Sequence, residues 1–358
     1  MLFRFIALYY LKYFCIVFSA LELFFVVIDT LQYVDKLPDS ANLLVLYIFY
    51  DCIYAMSYTL PISLALSAIL FLIHLLKTNQ LTALLALGYS RLKILFSVIV
   101  VCVFITCVHI GINCTPLAYA LERVELIVHN QTLLNVRTDI FLKFESKYIY
   151  MGKIYPLEDG GARVENIKIF ELDSLELRHY YSAKSGFFVN DRWQLNDVSL
   201  MSITPHLEIG KKALNKEEIA QLELLKGFRP KVLDTFAKDK PRVSIPDAID
   251  TLRISLKQGT SSTKMRAIIY ALVIAPFFVP LSILIVATFI PSLARYENLA
   301  MLGFSCALGM LMIWGLFFSF AEFSTAGLLQ PEMGVLAPFL VLFGLAMHFL
   351  RKINTKFI

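Results

Sequence analysis

The sequence predicts an α-helical membrane protein with six transmembrane helices, three on each side of an inserted, extracytoplasmic all-β domain. Three observations predict it. Six long apolar runs are grouped three before and three after roughly 150 mostly polar residues. Lysine and arginine gather in the short loops on one side of these runs. Within the polar middle, apolar residues recur with a period of two.

The composition fits. Of 358 residues, 58% are hydrophobic and 17% charged, and the mean hydropathy is +0.67. Soluble domains are about half apolar and about a quarter charged. The net charge of +5 comes from basic residues scattered mainly beside the spans, so no nucleic-acid partner is expected. The first span, with Phe14–Ile28 at its centre, is followed by no small-residue cleavage site and is expected to stay as an anchor. All six cysteines (Cys15, Cys52, Cys102, Cys107, Cys114 and Cys306) fall within or at the edge of apolar spans, which excludes a disulfide framework or a CxxC metal site in the middle segment.

The spans are read at about 8–30, 43–76, 92–118, 267–290, 299–320 and 334–350. Pro61, Pro116, Pro276 and Pro280 lie within or at the ends of spans, where proline kinks are tolerated. One side carries Arg4, Lys12, Lys77, Arg91, Lys93, Arg295, Arg351, Lys352 and Lys356; the short loops of the other carry Lys36 alone, among acidic residues. The positive-inside rule then places both termini in the cytoplasm and the middle segment outside it. The expected organisation is a first transmembrane half at 1–118, a β domain at 119–243, an amphipathic connecting helix and loop at 244–266, and a second transmembrane half at 267–358.

In the middle, residues 147–151, 164–172, 177–183 and 193–204 alternate apolar and polar side chains. Turn signals separate them: Glu158-Asp159-Gly160-Gly161, Ser185-Gly186 and Asn190-Asp191. Short strands at this spacing predict a sandwich, barrel or jelly roll. Asn215–Leu225 is expected as a short helix, and Ser244–Gln258 as an amphipathic helix opened by Ser244 or Pro246, with Ile245, Ile249, Leu252 and Leu256 on one face and Gly259 ending it.

Catalytic signatures are missing. No glycine stands in a GxxxxGK[ST] loop, so any ATP must be bound and hydrolysed by a partner, and HExxH is absent. His74 and His109 lie in different spans with no nucleophile motif to join them. Glu22 lies mid-span, where a carboxylate costs roughly 2.5–3.5 kcal/mol on insertion scales. It marks either a polar cavity or subunit contact, or a protonated acid bonded to a neighbouring helix. The loop from Lys77 to Arg91 reads as a short helix capped by Thr78 or Asn79, with Leu81, Leu84, Leu85 and Leu87 as its apolar face and Gly88 stopping it. Such a helix lies in the lipid interface or inserts into a groove of a cytoplasmic partner. Lys36, near Asp29, Asp35 and Asp39, is either a contact to an anionic head group or a solvated loop charge.

Several segments together resemble the LptF/LptG (YjgP/YjgQ) permeases of the lipopolysaccharide exporter. Tyr33-Val-Asp-Lys-Leu37 is similar to that family's exit from the first span and leans towards the LptG-like member. Leu60–Leu70 is similar to its second span and Leu81–Arg91 to its coupling segment. Ala183, Gly186 and Trp193-Gln-Leu195 are similar to a stretch of its β-jelly-roll; Pro280-Leu-Ser282 and Arg351-Lys352 fit its second half. The resemblance covers the whole chain.

It implies a multi-pass protein of the bacterial inner membrane with a periplasmic, jelly-roll-like domain. It implies pairing with a second six-span permease and with a dimer of cytoplasmic ABC ATPases holding the ATP and magnesium, this chain binding no cofactor. It implies lipopolysaccharide as substrate, extracted from the membrane and passed through the β domain to periplasmic bridge proteins. By position, Asn79, Gln80, Leu81, Leu84, Leu85, Gly88 and Arg91 would form the ATPase-coupling helix. Glu22, Gln32 and Lys36 would border the lipid entrance, and Tyr148, Ile169 and Trp193 would line the path in the β domain. Two departures stand out: Gln80 replaces the acidic residue of the family's coupling helix, and Lys36 is the one basic residue where the family often has several. Alternatives are a permease of another ABC-type lipid or lipoprotein exporter, which usually shows four spans, and a non-transport scaffold, which gives no reason for a coupling helix.

Overall fold

The computed structural model describes residues 2–37, 40–128, 137–144, 147–156, 161–173, 176–189, 192–203, 214–226, 228, 243–257, 262–291 and 298–355. The chain divides into two compact units. One comprises Met1–Val128, Val243–Leu252 and Ser261–Ile358, and the other His129–Arg242 and Arg253–Thr260.

The first unit holds six candidate membrane spans: Leu2–Gln32, Ala41–Lys77, Arg91–Asn113, Thr263–Phe289, Leu299–Thr325 and Glu332–Arg351. Its helices are α1 (Leu2–Gln32), α2 (Ala41–Lys77), α3 (Gln80–Ala86), α4 (Arg91–Asn113), α5 (Ala120–Val128), α6 (Ile245–Lys257, running past the unit boundary), α7 (Thr263–Val273), α8 (Phe278–Phe289), α9 (Leu299–Thr325) and α10 (Ala337–Thr355). Proline chemistry sets the breaks. Thr115-Pro116 ends the third span at Asn113, earlier than expected, and Thr115 Oγ1 accepts from Leu117 N. Ala275–Phe277 is a 3₁₀ turn around Pro276 that divides the fourth span into α7 and α8, whereas Pro61 is carried inside α2.

Helix α2 is the axis of the bundle: 72% of its apolar window is buried, against 11% for α1 and α9. Lipid tails are as apolar as leucine, so helices meet through close packing and a few polar bonds rather than the hydrophobic effect. The buried face of α2 accordingly mixes Ser63, Ala65, Ser67 and Ala68 with Leu64, Leu72 and Leu75. Tyr10 of α1 donates to the Leu64 carbonyl at 3.0 Å. Leu23, Phe24, Phe304 and Met312 point outward and are well exposed, as lipid-facing side chains should be.

The segment 120–128, expected with the β domain, is helical, and its Val124 and Val128 cluster with Tyr47 of α2. Ser244 opens α6: its hydroxyl accepts from Asp247 N at 3.3 Å and donates to the Asp247 carboxylate at 2.9 Å. Of the expected apolar face of α6, Ile245 is buried and Leu252 partly buried, whereas Leu256 is exposed. Gly259 lies outside the described residues.

The second unit carries one sheet. Strands β1 (Arg137–Phe144), β2 (Lys147–Pro156), β3 (Ala162–Asp173), β4 (Glu176–Val189), β5 (Arg192–Ile203) and β6 (Leu214–Leu224) pair antiparallel in chain order as one sheet. The described strands therefore form a meander, with no Greek-key crossing among them. Two expectations are corrected here. Asn215–Leu225 is not helical: residues 215–224 belong to β6, because Ile219 and Leu222 pair with Val198 and Leu195 of β5 and pack on the sheet's apolar face. Tertiary pairing overrides the helix propensity of its Glu, Ala, Gln and Leu. Ser185-Gly186 is not a turn; β4 runs straight through it. A Cβ on Gly186 would lie 2.7 Å from Leu195 Cδ2 and 3.1 Å from the Gln194 carbonyl, so glycine serves close approach of strands here. Of the other turn signals, Glu158–Gly160 and Asn190-Asp191 lie outside the described residues.

One line crosses the whole sheet where the pleat is interrupted. Asp139, Asn166 and Asp197 have positive φ of 57°, 57° and 53°. By register, Asp139, Gly152, Asn166, Lys184, Asp197 and Ala220 form one row across the six strands. On either side of this row the buried positions are three apart rather than two: Met151 and Ile154, Val164 and Ile167, Ala183 and Gly186, Leu195 and Val198. The left-handed residues shift the pleat by one, so that the buried apolar side chains on both sides of the row share one face. Irregularities of this kind bend a sheet.

Candidate functional site

Helix α3 follows directly from the end of α2. Neither expected side chain caps it. Asn79 takes a left-handed conformation (φ 57°) without a side-chain cap, and Thr78 Oγ1 donates back to the His74 carbonyl at 2.8 Å. The other end closes as expected, with Gly88 at φ 83°. Gly88 N bonds the Leu85 carbonyl at 3.0 Å and Tyr89 N the Leu84 carbonyl at 3.1 Å, the two bonds of a Schellman cap.

The leucine face of α3 is turned inward. Leu81 is 2% exposed, and Leu84 and Leu85 pack against the core of the bundle. The Gln80 side-chain carbonyl is also buried, with no hydrogen-bond partner among the described residues. What α3 presents outward is Ala83, Ala86 and Leu87, followed by Gly88 and Tyr89. The seven-residue helix carries apolar residues all round, which is why spacing alone did not separate its two faces. Arg91 has a second role. Its guanidinium donates to the carbonyls of Ala287 and Ile290 at the end of α8, where unsatisfied carbonyls and the helix dipole favour a cation. The segment after α3 is thereby tied to the second half of the bundle.

At the other end of α1, Gln32 is exposed and Lys36 is exposed in a 3₁₀ turn, Val34–Lys36. Glu22 is half-buried and accepts a hydrogen bond from Thr59 Oγ1 of α2, which matches the expectation of an acid bonded to a neighbouring helix.

In the β domain the inner face is buried. Ile149, Met151, Val164, Ile167, Ile169, Trp193 and Leu195 are fully buried. Trp193 Nε1 donates to the Phe228 carbonyl at 2.7 Å. Tyr181, beside Ile169, packs on this cluster and donates to Glu171 at 3.1 Å. Burial and the neighbouring carboxylate push its phenol up to about 12. Of the three expected path residues, Ile169 and Trp193 are on the inner face and Tyr148 is not. Ile149 next to it points inward, so the alternation of the strand sends Tyr148 to the opposite face, where its ring stacks 6.0 Å from that of exposed Phe141.

The family described as lipopolysaccharide export system permease LptF/LptG matches residues 4–352. This chain belongs to the LptF/LptG family. As an LptF/LptG permease it is a transporter subunit rather than an enzyme, and its six apolar helices make it a multi-pass membrane protein. Comparison with curated proteins gives no match.

One residue of this LptF/LptG permease was missed by the sequence reading. Asp51 of α2 is fully buried, and neither carboxylate oxygen has a hydrogen-bond partner among the described residues. It lies within electrostatic reach of Asp29 and Glu22 of α1. The signal was available: Asp51 is a lone charge inside the second apolar run, as Glu22 is inside the first.

Proposed function

We propose that this chain is one of two related permeases in an ATP-driven exporter of the bacterial inner membrane, with both termini cytoplasmic and the β domain periplasmic. The exporter extracts lipopolysaccharide from the membrane and passes it along the inner face of the β domain to periplasmic bridge proteins. A dimer of cytoplasmic ABC ATPases supplies the ATP and magnesium. The observation that carries the reading is the buried apolar cluster on the inner face of the sheet in a chain of this family. A large amphiphile crossing water needs an apolar surface for its acyl chains, and a bent sheet with an apolar core on one face supplies it.

The ATPase contact falls on the outward side of α3, on Ala83, Ala86 and Leu87. Small residues there allow close approach of a groove, and Leu87 supplies an anchor. Ala83→Asp and Leu87→Asp are each expected to lose at least about tenfold in ATPase co-purification while the chain still inserts. Leu84→Asp and Leu85→Asp should instead destabilise the chain itself, since those side chains pack inward. Mild-detergent purification tests the reading: the chain should bring down an ATPase and a second six-span permease. A stable homodimer without ATPase would overturn it.

A further inference from the structure

We propose that Phe228 occupies the acyl-chain site of the β domain and is the group a lipid displaces on entering. The inference rests on the proposed function and adds the site's resident occupant.

The central residues of the inner face are fully buried, so an acyl chain lying among them takes the place of a side chain. Every other described residue of this cluster belongs to a strand and is held by ladder hydrogen bonds, except Leu225 and Phe228, which follow β6. Phe228 is 1% exposed. Its ring centroid lies 4.7 Å from Phe144 of β1 and 6.5 Å from Trp193 of β5. Four strand spacings would hold β1 and β5 about 19 Å apart in a flat sheet. One aromatic ring therefore spans a trough made by the bend, filling the place that an apolar chain lying between β1 and β5 would take.

The attachment of Phe228 suits a displaceable group. Leu225, where the chain leaves β6, has a positive φ of 56°, an uncommon and strained conformation for a bulky residue. Phe228 N bonds the Leu225 carbonyl at 3.2 Å, closing a tight turn. Among the described residues, two aromatic contacts and a bond from the Trp193 indole to the Phe228 carbonyl stand against that strain. An acyl chain replaces the aromatic contacts, and Trp193 keeps its donor for a lipid ester or amide carbonyl.

The test uses the complete complex in nanodiscs containing lipopolysaccharide, with a photo-crosslinking phenylalanine at Tyr181, on the inner face beside Ile169. With Phe228 present, the lipid adduct should require ATP. If the open state holds about a tenth of the population, Phe228→Ala should raise the ATP-independent adduct about tenfold. A second variant guards against loss of folding: Phe228→Leu refills part of the site, so its ATP-independent adduct should fall between those of the unchanged chain and Phe228→Ala while ATP hydrolysis continues. An adduct unchanged by both Phe228→Ala and Phe228→Leu would overturn the proposal while leaving the function standing. No adduct under any condition would overturn both.

Discussion

Replacing Arg91 with alanine is expected to uncouple the exporter: ATP hydrolysis persists, and lipid transport falls by about tenfold or more. The side chain donates to two carbonyls at the end of α8. Hydrogen bonds from a charged donor contribute about 1.5–3 kcal/mol each, and water at the helix end recovers part of that, so a net loss of ~3 kcal/mol is reasonable. The loss falls on the link between the α3 segment, where the ATPase is proposed to push, and the second half of the bundle. Arg91→Lys should rescue only partly, because a single ammonium lacks the planar fork that serves two acceptors in fixed geometry. Parallel measurement of ATP turnover and transport in proteoliposomes separates this outcome from simple unfolding, in which both fall together.

Gly334→Ala is expected to be the most damaging single methyl group in the bundle. Gly334 lies in a π-helical turn, Glu332–Leu336, that leads into α10. A Cβ there would collide with the Ser324 hydroxyl of α9 and lie 2.9 Å from the Phe320 carbonyl. The second obstacle is backbone and cannot rotate away. Overpacking of this kind costs about 1–3 kcal/mol, and more where backbone must shift. The variant should therefore melt at a lower temperature in detergent, and Gly334→Val should not accumulate in the membrane. Adding Ser324→Gly to Gly334→Ala removes one obstacle of the two, so partial recovery is expected. Full recovery would show that the Phe320 carbonyl is no constraint.

The spans and their three-plus-three grouping were legible because membrane helices must satisfy their backbone internally and carry long uncharged runs. Pro116 and Pro276 also behaved as their chemistry requires, ending α4 and dividing the fourth span. The faces of short elements were not legible. Leucines on α3 look like a surface offered to a partner, yet Leu81, Leu84 and Leu85 close the end of the bundle and leave Ala83, Ala86 and Leu87 outside. In the β domain, period-two reading found four of the six described strands but lost their phase. The row of Asp139, Asn166 and Asp197 shifts the pleat mid-strand, and positive φ at aspartate or asparagine leaves little trace in sequence. Tyr148 was assigned inward for a simpler reason: both it and Ile149 are apolar enough to face a core, and neighbouring side chains cannot share a face. Asp51 was legible by the rule that marked Glu22, as a lone carboxylate in an apolar run.

Lipid is proposed to travel along the inner face of the sheet and not the outer one. The direct test places the same photo-crosslinker at Tyr181, on the inner face, and at Tyr148, on the outer face, in the assembled complex with lipopolysaccharide and ATP. An ATP-dependent adduct is expected at Tyr181 and none above background at Tyr148. Capture at Tyr148 without capture at Tyr181 would contradict it.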